Sequence, residues 1–181
     1  MTDLTIRHHG AAGMRAMREE ILALYTEVYA GQLADPFRTP ERFWDRLDAY
    51  ANRDGLAMVT GHADDDLVGF ALGYTLPENS RWWTGLQGPH ADDEEFTRED
   101  GNRTFAFNEL MVHRSRRGHG FGHALHDALL RRRTEQRATL LVRPDNEPAR
   151  SAYLRWGWRM IGTVKPFTDS PIFEVLVLPL R

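Results

Sequence analysis

The chain has 181 residues, 41% of them apolar and 27% charged, with a formal net charge of −3 and an isoelectric point near 6.2. This is the composition of a globular protein large enough for a real core, and a single domain over residues 1–181 is expected. The lack of cysteine excludes disulfides, a thiolate metal centre and a cysteine nucleophile. The mildly acidic balance argues against nucleic acid as the main partner, and with no apolar leader and no apolar run of membrane-spanning length the expectation is no membrane and a cytoplasmic protein.

Leu4 to His8 alternates weakly and reads as a first strand. Met14 to Ala30 carries apolar residues at Met14, Met17, Ile21, Leu24, Tyr25 and Val28, a helical period. Thr39 is a natural cap for a second helix and Pro40 suits its first position, with Arg42 where a capping-box glutamate usually stands. Gly55 to His62 and Leu67 to Leu76 are strands joined by a hairpin turn at Ala63-Asp-Asp-Asp66. Residues 77–103 form a long connection without clear periodicity, and loops of that length are usually functional or mobile. It holds the adjacent pair Trp82 and Trp83 and the acidic run 92–100. The run reads first as a solvated face, with attraction of a cationic acceptor as the functional alternative.

Phe105 to His113 is a strand, followed by a turn of basic residues and glycines and then a helix from His119 to Arg133. Gly118, Gly120 and Gly122 alternate, so the backbone can approach a ligand without an intervening Cβ. Their N–H groups lie where a helix starts, lack intrahelical acceptors and sit in the positive end of the helix dipole. Arg114, Arg116 and Arg117 add full charges. The physical reading is a cradle for phosphate or pyrophosphate. A GxxxxGK[ST] loop is excluded because His123 and Ala124 follow Gly122, and the GxGxG spacing fits a dinucleotide fingerprint poorly. Ala138 to Arg143 is a short buried strand ended by Pro144. Glu147 to Trp156 is a helix with Asn146 as its cap and Gly157 as its stop, and Trp158 to Phe167 and Ile172 to Leu178 form a final antiparallel pair.

Arg117-Gly-His-Gly-Phe-Gly122, with Val112 five residues before Arg117, resembles the acyl-coenzyme A pyrophosphate loop of the GNAT superfamily of N-acetyltransferases. One helix further on, Asn146, Ala149, Tyr153 and Gly157-Trp158 repeat the spacing of that family's second motif, with Trp in place of the usual Phe. The resemblance is strong over residues 104–160 and topological elsewhere. It implies an α+β fold, α/β/α layered: a mixed, mostly antiparallel, seven-stranded sheet with splayed central strands and about four helices.

It also implies acetyl-coenzyme A as co-substrate, direct transfer to a small-molecule primary amine in a ternary complex, and no metal. On this resemblance the backbone at Met111 and Val112 holds the thioester carbonyl. The N–H groups of Gly118, His119, Gly120, Phe121, Gly122 and His123 bind the pyrophosphate, supported by Arg117. Tyr153 is the candidate acid for the departing thiolate, against a packed core tyrosine. Glu109 is the candidate base or substrate anchor, against an ion pair with an arginine, because a carboxylate inside this strand is unexpected. His113 is a rival base, more readily placed at the rim of the cofactor site. Asn146 resembles the residue near the pantetheine arm, a role compatible with capping. Trp82 and Trp83 could wall an acceptor pocket, bury the loop or make a dimer contact, and a homodimer is a candidate assembly. His119, His123 and His126 share a helical face whose start belongs to the phosphate loop, so no metal is assigned there. The alternatives are a protein N-terminal or lysine acetyltransferase, and a non-catalytic acyl-coenzyme A binding module.

Overall fold

The computed structural model describes residues 3–181. Its strands are β1 (Thr5–His9), β2 (Ala57–Ala63), β3 (Asp66–Thr75), β4 (Thr104–Val112), β5 (Arg137–Val142), β6 (Arg159–Val164) and β7 (Phe173–Pro179). The helices are α1 (Ala11–Ala16), α2 (Arg18–Val28), α3 (Pro40–Ala51), α4 (Glu94–Thr97), α5 (Phe121–Arg131) and α6 (Glu147–Arg155), with a 3-10 turn at Arg114–Arg116. The seven strands form one sheet in the order β1-β2-β3-β4-β5-β7-β6. β4 and β5 pair in parallel, and their register runs from Thr104–Arg137 to Ala106–Thr139 while the strands continue to Val112 and Val142. So short a parallel ladder is what splayed central strands require.

Six α-helices replace the four or so expected. The apolar period from Met14 onward is real, but Met17 leaves helical geometry (φ −97°, ψ 17°) and splits the segment into α1 and α2. No glycine or proline causes the break. Arg15 bonds Asp48 on α3 at 2.6 Å and Asn52 at 2.9 Å, tying α1 to a different helix. The sixth helix, α4, is one turn inside the connection 77–103, where Asp93 accepts from the Phe96 N–H at 2.9 Å. Other local readings hold. Thr39 caps α3 by accepting from Arg42 N–H. Asp64 and Asp65 adopt φ of 52° and 68°, the left-handed pair of a tight hairpin turn. Gly157, at φ 93°, ends α6.

Two compact units divide the chain: residues up to Tyr74 with Asn108–Arg132, and Thr75–Phe107 with Arg133–Arg181. The first unit's core gathers Met14, Ile21, Phe43, Leu47, Met58 and Phe70, all essentially inaccessible. Strand alternation assigns faces. Met58, Phe70 and Leu72 belong with the α1–α3 cluster, while Gly61 and Gly69 meet Leu125 of α5. Helices therefore cover both faces of this unit's strands.

The second unit buries Phe105, Leu140, Trp158 and Leu176 among its strands. Its long connection is ordered. Gln87 and Thr163 exchange backbone hydrogen bonds of 2.8 and 2.9 Å, joining the connection to β6. Gly162 permits this, since a Cβ there would lie 2.2 Å from the Gln87 carbonyl oxygen.

Candidate functional site

In the first unit, the end of β4, the 3-10 turn and the start of α5 form a continuous bend. Gly118 (φ +78°) and Gly120 (φ +80°) both take left-handed backbone, which only glycine adopts freely. A Cβ on either would meet nothing within 4 Å, so the space beside the turn is open. Gly120 stands at the N-cap of α5 with no capping side chain. The first helical bond of α5 runs from Ala124 N–H to the Gly120 carbonyl at 3.0 Å. Phe121, Gly122 and His123 therefore present N–H groups at a helix start with no intrahelical acceptor. Most helices close this position with a Ser or Asp side chain. An unfilled, glycine-built start with open space beside it suits an anionic group, and the pyrophosphate of acetyl-coenzyme A fits that description.

Arg114 and Arg117 differ in role. Arg114 donates to the Val28 carbonyl from Nε at 2.9 Å and Nη2 at 2.6 Å, closing the C-terminus of α2. Arg117 donates from Nε to the Val112 carbonyl at 3.3 Å and so pins the turn to the end of β4. His113 caps the 3-10 turn, accepting from Ser115 N–H, and its Nε2 lies 3.6 Å from Glu27. His119 is held through Nδ1, 2.9 Å from the Arg117 carbonyl. Gly69 on β3 sits against the Met111 backbone and the Val112 side chain, because a Cβ there would come within 2.7 Å of the Met111 oxygen and 3.4 Å of the Val112 side chain.

Glu109 has the arginine partner that sequence reasoning kept as its alternative. Arg46 of α3 donates to Glu109 Oε1 from Nε at 3.2 Å and Nη2 at 2.8 Å. The Glu109 side chain is 18% exposed. Burial pulls the Arg46 guanidinium down, but the Glu109 carboxylate and its hydrogen bond hold it above its ordinary value. Tyr50 is pushed up by burial and then by the Glu109 charge. Tyr25, raised by burial and by Tyr29, stacks on Phe43 at 4.0 Å and donates to the Arg38 carbonyl at 3.0 Å. Arg46 and Tyr50 were invisible in the sequence as members of this group. The only signal was their placement one turn apart on a capped helix.

In the second unit, Tyr153 is 9% exposed. Its ring meets Trp156, Trp158 and Phe107 edge-on at centroid distances of 5.6, 5.9 and 6.1 Å. Asn146 stands at the N-cap of α6, the position expected of it, and its side chain makes no capping bond there. Trp82 donates from Nε1 to Thr139 at 3.1 Å. Trp83 takes the loop-burying role that the sequence left open beside a pocket wall. It is 7% exposed and donates to Glu99 at 2.9 Å, so it anchors the connection from inside instead of lining open space. The acidic run is not uniformly solvated either, since Glu99 is buried with Arg137 at 3.1 Å.

The model of the family described as Acetyltransferase (GNAT) matches residues 16–158. No curated protein matches the chain. Among solved structures, an Ard1 from Thermoplasma volcanium is similar with a TM-score of 0.63 at 18% identity, covering 98% of each chain. The aminoglycoside N-acetyltransferase AAC(6')-Iy in complex with CoA gives 0.61 at 15% identity, over 93% of this chain and 96% of that one. A PaiA N-acetyltransferase from Thermoplasma acidophilum in complex with coenzyme A gives 0.58 at 12%, over 98% and 99%. At these identities the likeness is one of fold.

Proposed function

This chain belongs to the GNAT acetyltransferase family and transfers acetyl from acetyl-coenzyme A, and on that premise we propose that its acceptor is a small molecule presenting a primary amine, which attacks directly in a ternary complex. The observation that carries the reading is Glu109. A carboxylate only 18% exposed, gripped by Arg46 and flanked by Tyr50, is reached more easily by a slender amine than by a folded protein surface.

Acetyl-coenzyme A supplies the acetyl group as a thioester. Backbone N–H groups at Met111–Val112 polarise its carbonyl oxygen, and those from Gly118 to His123 hold its pyrophosphate, with Arg117 bracing the turn. Positioning of this kind is worth about 7–11 kcal/mol of barrier. Glu109 accepts the proton that the amine nitrogen loses as the N–C bond forms, directly or through water. Tyr153 returns a proton to the sulfur as the C–S bond breaks. By the family resemblance Asn146 is assigned to the pantetheine arm, and Trp82, in the long connection, is assigned to the acceptor. With no cysteine in the chain, no acyl-cysteine intermediate forms.

The test is a panel of small primary amines and of peptides with free N-termini or lysines, read by thiol release from acetyl-coenzyme A. Turnover by small amines above any peptide is expected. Turnover by peptides alone would make the chain a protein acetyltransferase, and binding of acetyl-coenzyme A without turnover on any amine would make it a sensing module.

A further inference from the structure

We propose that His123, His126 and Asp127 on α5 form a binding site for a divalent transition-metal cation of the zinc class. Positions i, i+3 and i+4 share one helical face, and here they converge. Asp127 Oδ1 lies 3.4 Å from His123 Nε2 and 2.8 Å from His126 Nδ1. One donor atom from each residue fits within a span of 4.8 Å. Tetrahedral zinc with arms of about 2.0–2.2 Å sets neighbouring ligand atoms roughly 3.3–3.6 Å apart. The Asp127–His123 edge already has that length. The Asp127–His126 edge must open by a few tenths of an ångström, and rotation of the half-exposed His123 ring closes the third.

Two imidazole nitrogens and one carboxylate oxygen select among cations. The set suits Zn²⁺, Co²⁺, Ni²⁺ or Cu²⁺ and is a poor match for Mg²⁺ or Ca²⁺, which want oxygen ligands. Three protein ligands leave a fourth position for water. His126 is almost wholly buried and so held in place. On binding, the cation takes the place of the proton on His126 Nδ1, and the ring carries its one N–H on Nε2 instead, so it remains a neutral imidazole. Sequence reasoning set the face of His119, His123 and His126 aside because its start belongs to the phosphate loop, and it did not weigh Asp127. His119 stands before the helix, bonded to the Arg117 carbonyl, while Asp127 lies where it completes the set.

The experiment uses the untagged full chain, stripped with a chelator and titrated with ZnCl₂ by calorimetry and with CoCl₂ by visible absorption. One Zn²⁺ per chain is expected, with the strong visible bands of tetrahedral Co²⁺ and no saturable heat from MgCl₂. His123→Ala and Asp127→Asn should each weaken Zn²⁺ binding roughly 10-fold or more, with melting temperatures near the parent's because both side chains reach solvent. His126→Ala is avoided, since it would open a cavity beneath α5 and mix folding with binding. His9→Gln, on β1, should leave the titration unchanged. Absence of saturable Zn²⁺ binding, equal affinity in both variants, or only the weak bands of octahedral Co²⁺ would each overturn the site.

Discussion

Glu99→Gln isolates one charge in the interior of the second unit. Three donors converge on Glu99 Oε1: Trp83 Nε1 at 2.9 Å, Thr104 Oγ1 at 2.8 Å and Arg137 Nη2 at 3.1 Å. The other oxygen, Oε2, is buried and has no hydrogen-bond partner. Glutamine can therefore keep its carbonyl oxygen under all three donors and place its amide nitrogen where Oε2 was, so shape and those hydrogen bonds survive while the charge is lost and the amide N–H groups gain no acceptor. Arg137, with 8% of its side chain exposed, is then left uncompensated. Breaking a buried ion pair from one side costs about 3–5 kcal/mol. Arg137 retains the faces of Phe96 at 4.4 Å and Trp83 at 4.8 Å, which favours the lower end. A loss of about 3 kcal/mol is a large part of a typical total of about 5–15 kcal/mol. For a chain of this size it lowers the melting temperature by roughly 6–12 °C. Thermal melting followed by circular dichroism, with a urea midpoint beside it, measures this. A fall smaller than about 2 °C would place Glu99 among ordinary surface substitutions and refute the claim that its charge matters.

Gly120→Asp should abolish acetyl-coenzyme A binding in calorimetry while leaving a cooperative melt, because it sets a carboxylate at the unfilled start of α5; unchanged affinity would remove the pyrophosphate from that turn. Tyr153→Phe should lower kcat by roughly 10²–10⁴-fold with little change in cofactor affinity, whereas parental turnover would return Tyr153 to its packing among Phe107, Trp156 and Trp158. Glu109→Gln should slow the reaction most at low pH, where the amine is protonated, and recover partly at high pH; a parental pH–rate profile would count against a base. His9, 2.9 Å from Thr60, has its pKa lowered by burial and by His62 and Arg7, against Glu20. Its neutral form is the one the fold favours, so its contribution is complete above the unfolded value near 6.5 and is lost as pH falls through the lower folded value. His9→Gln should flatten the decline of melting temperature between pH 7 and 5, and an unaltered slope would assign that decline to other groups.

What the sequence disclosed depended on how local the cause was. The glycine turn was legible because Gly118 and Gly120 satisfy a requirement of their own backbone, and the start of α5 follows within the same few residues. The hairpin at Asp64–Asp65 and the cap at Thr39 were legible for the same reason. Glu109 could be flagged as an anomaly in its strand, but Arg46 is distant in sequence and nothing local tied the two together. The connection 77–103 looked structureless because its order comes from individual anchors. Arg103 alone donates to the carbonyls of Glu95 and Arg98, each at 2.6 Å, and of Phe96 at 3.3 Å. Such anchors leave no period to detect. The break at Met17 was hidden by the opposite effect, an apolar repeat that continues across a backbone kink.

The backbone exchange between Gln87 and Thr163 has a consequence for solubility. β6 is the last strand in the sheet order, and Met160 on it is 45% exposed. A terminal strand offers a row of unpaired amide groups on which another chain can stack, and a flat apolar one seeds aggregation. Here Gln87 takes both hydrogen-bonding positions at Thr163, partway along that row. Gly162 and Gly88 admit it at a distance no larger residue would allow. The long connection thus guards its own sheet against recruiting a second copy.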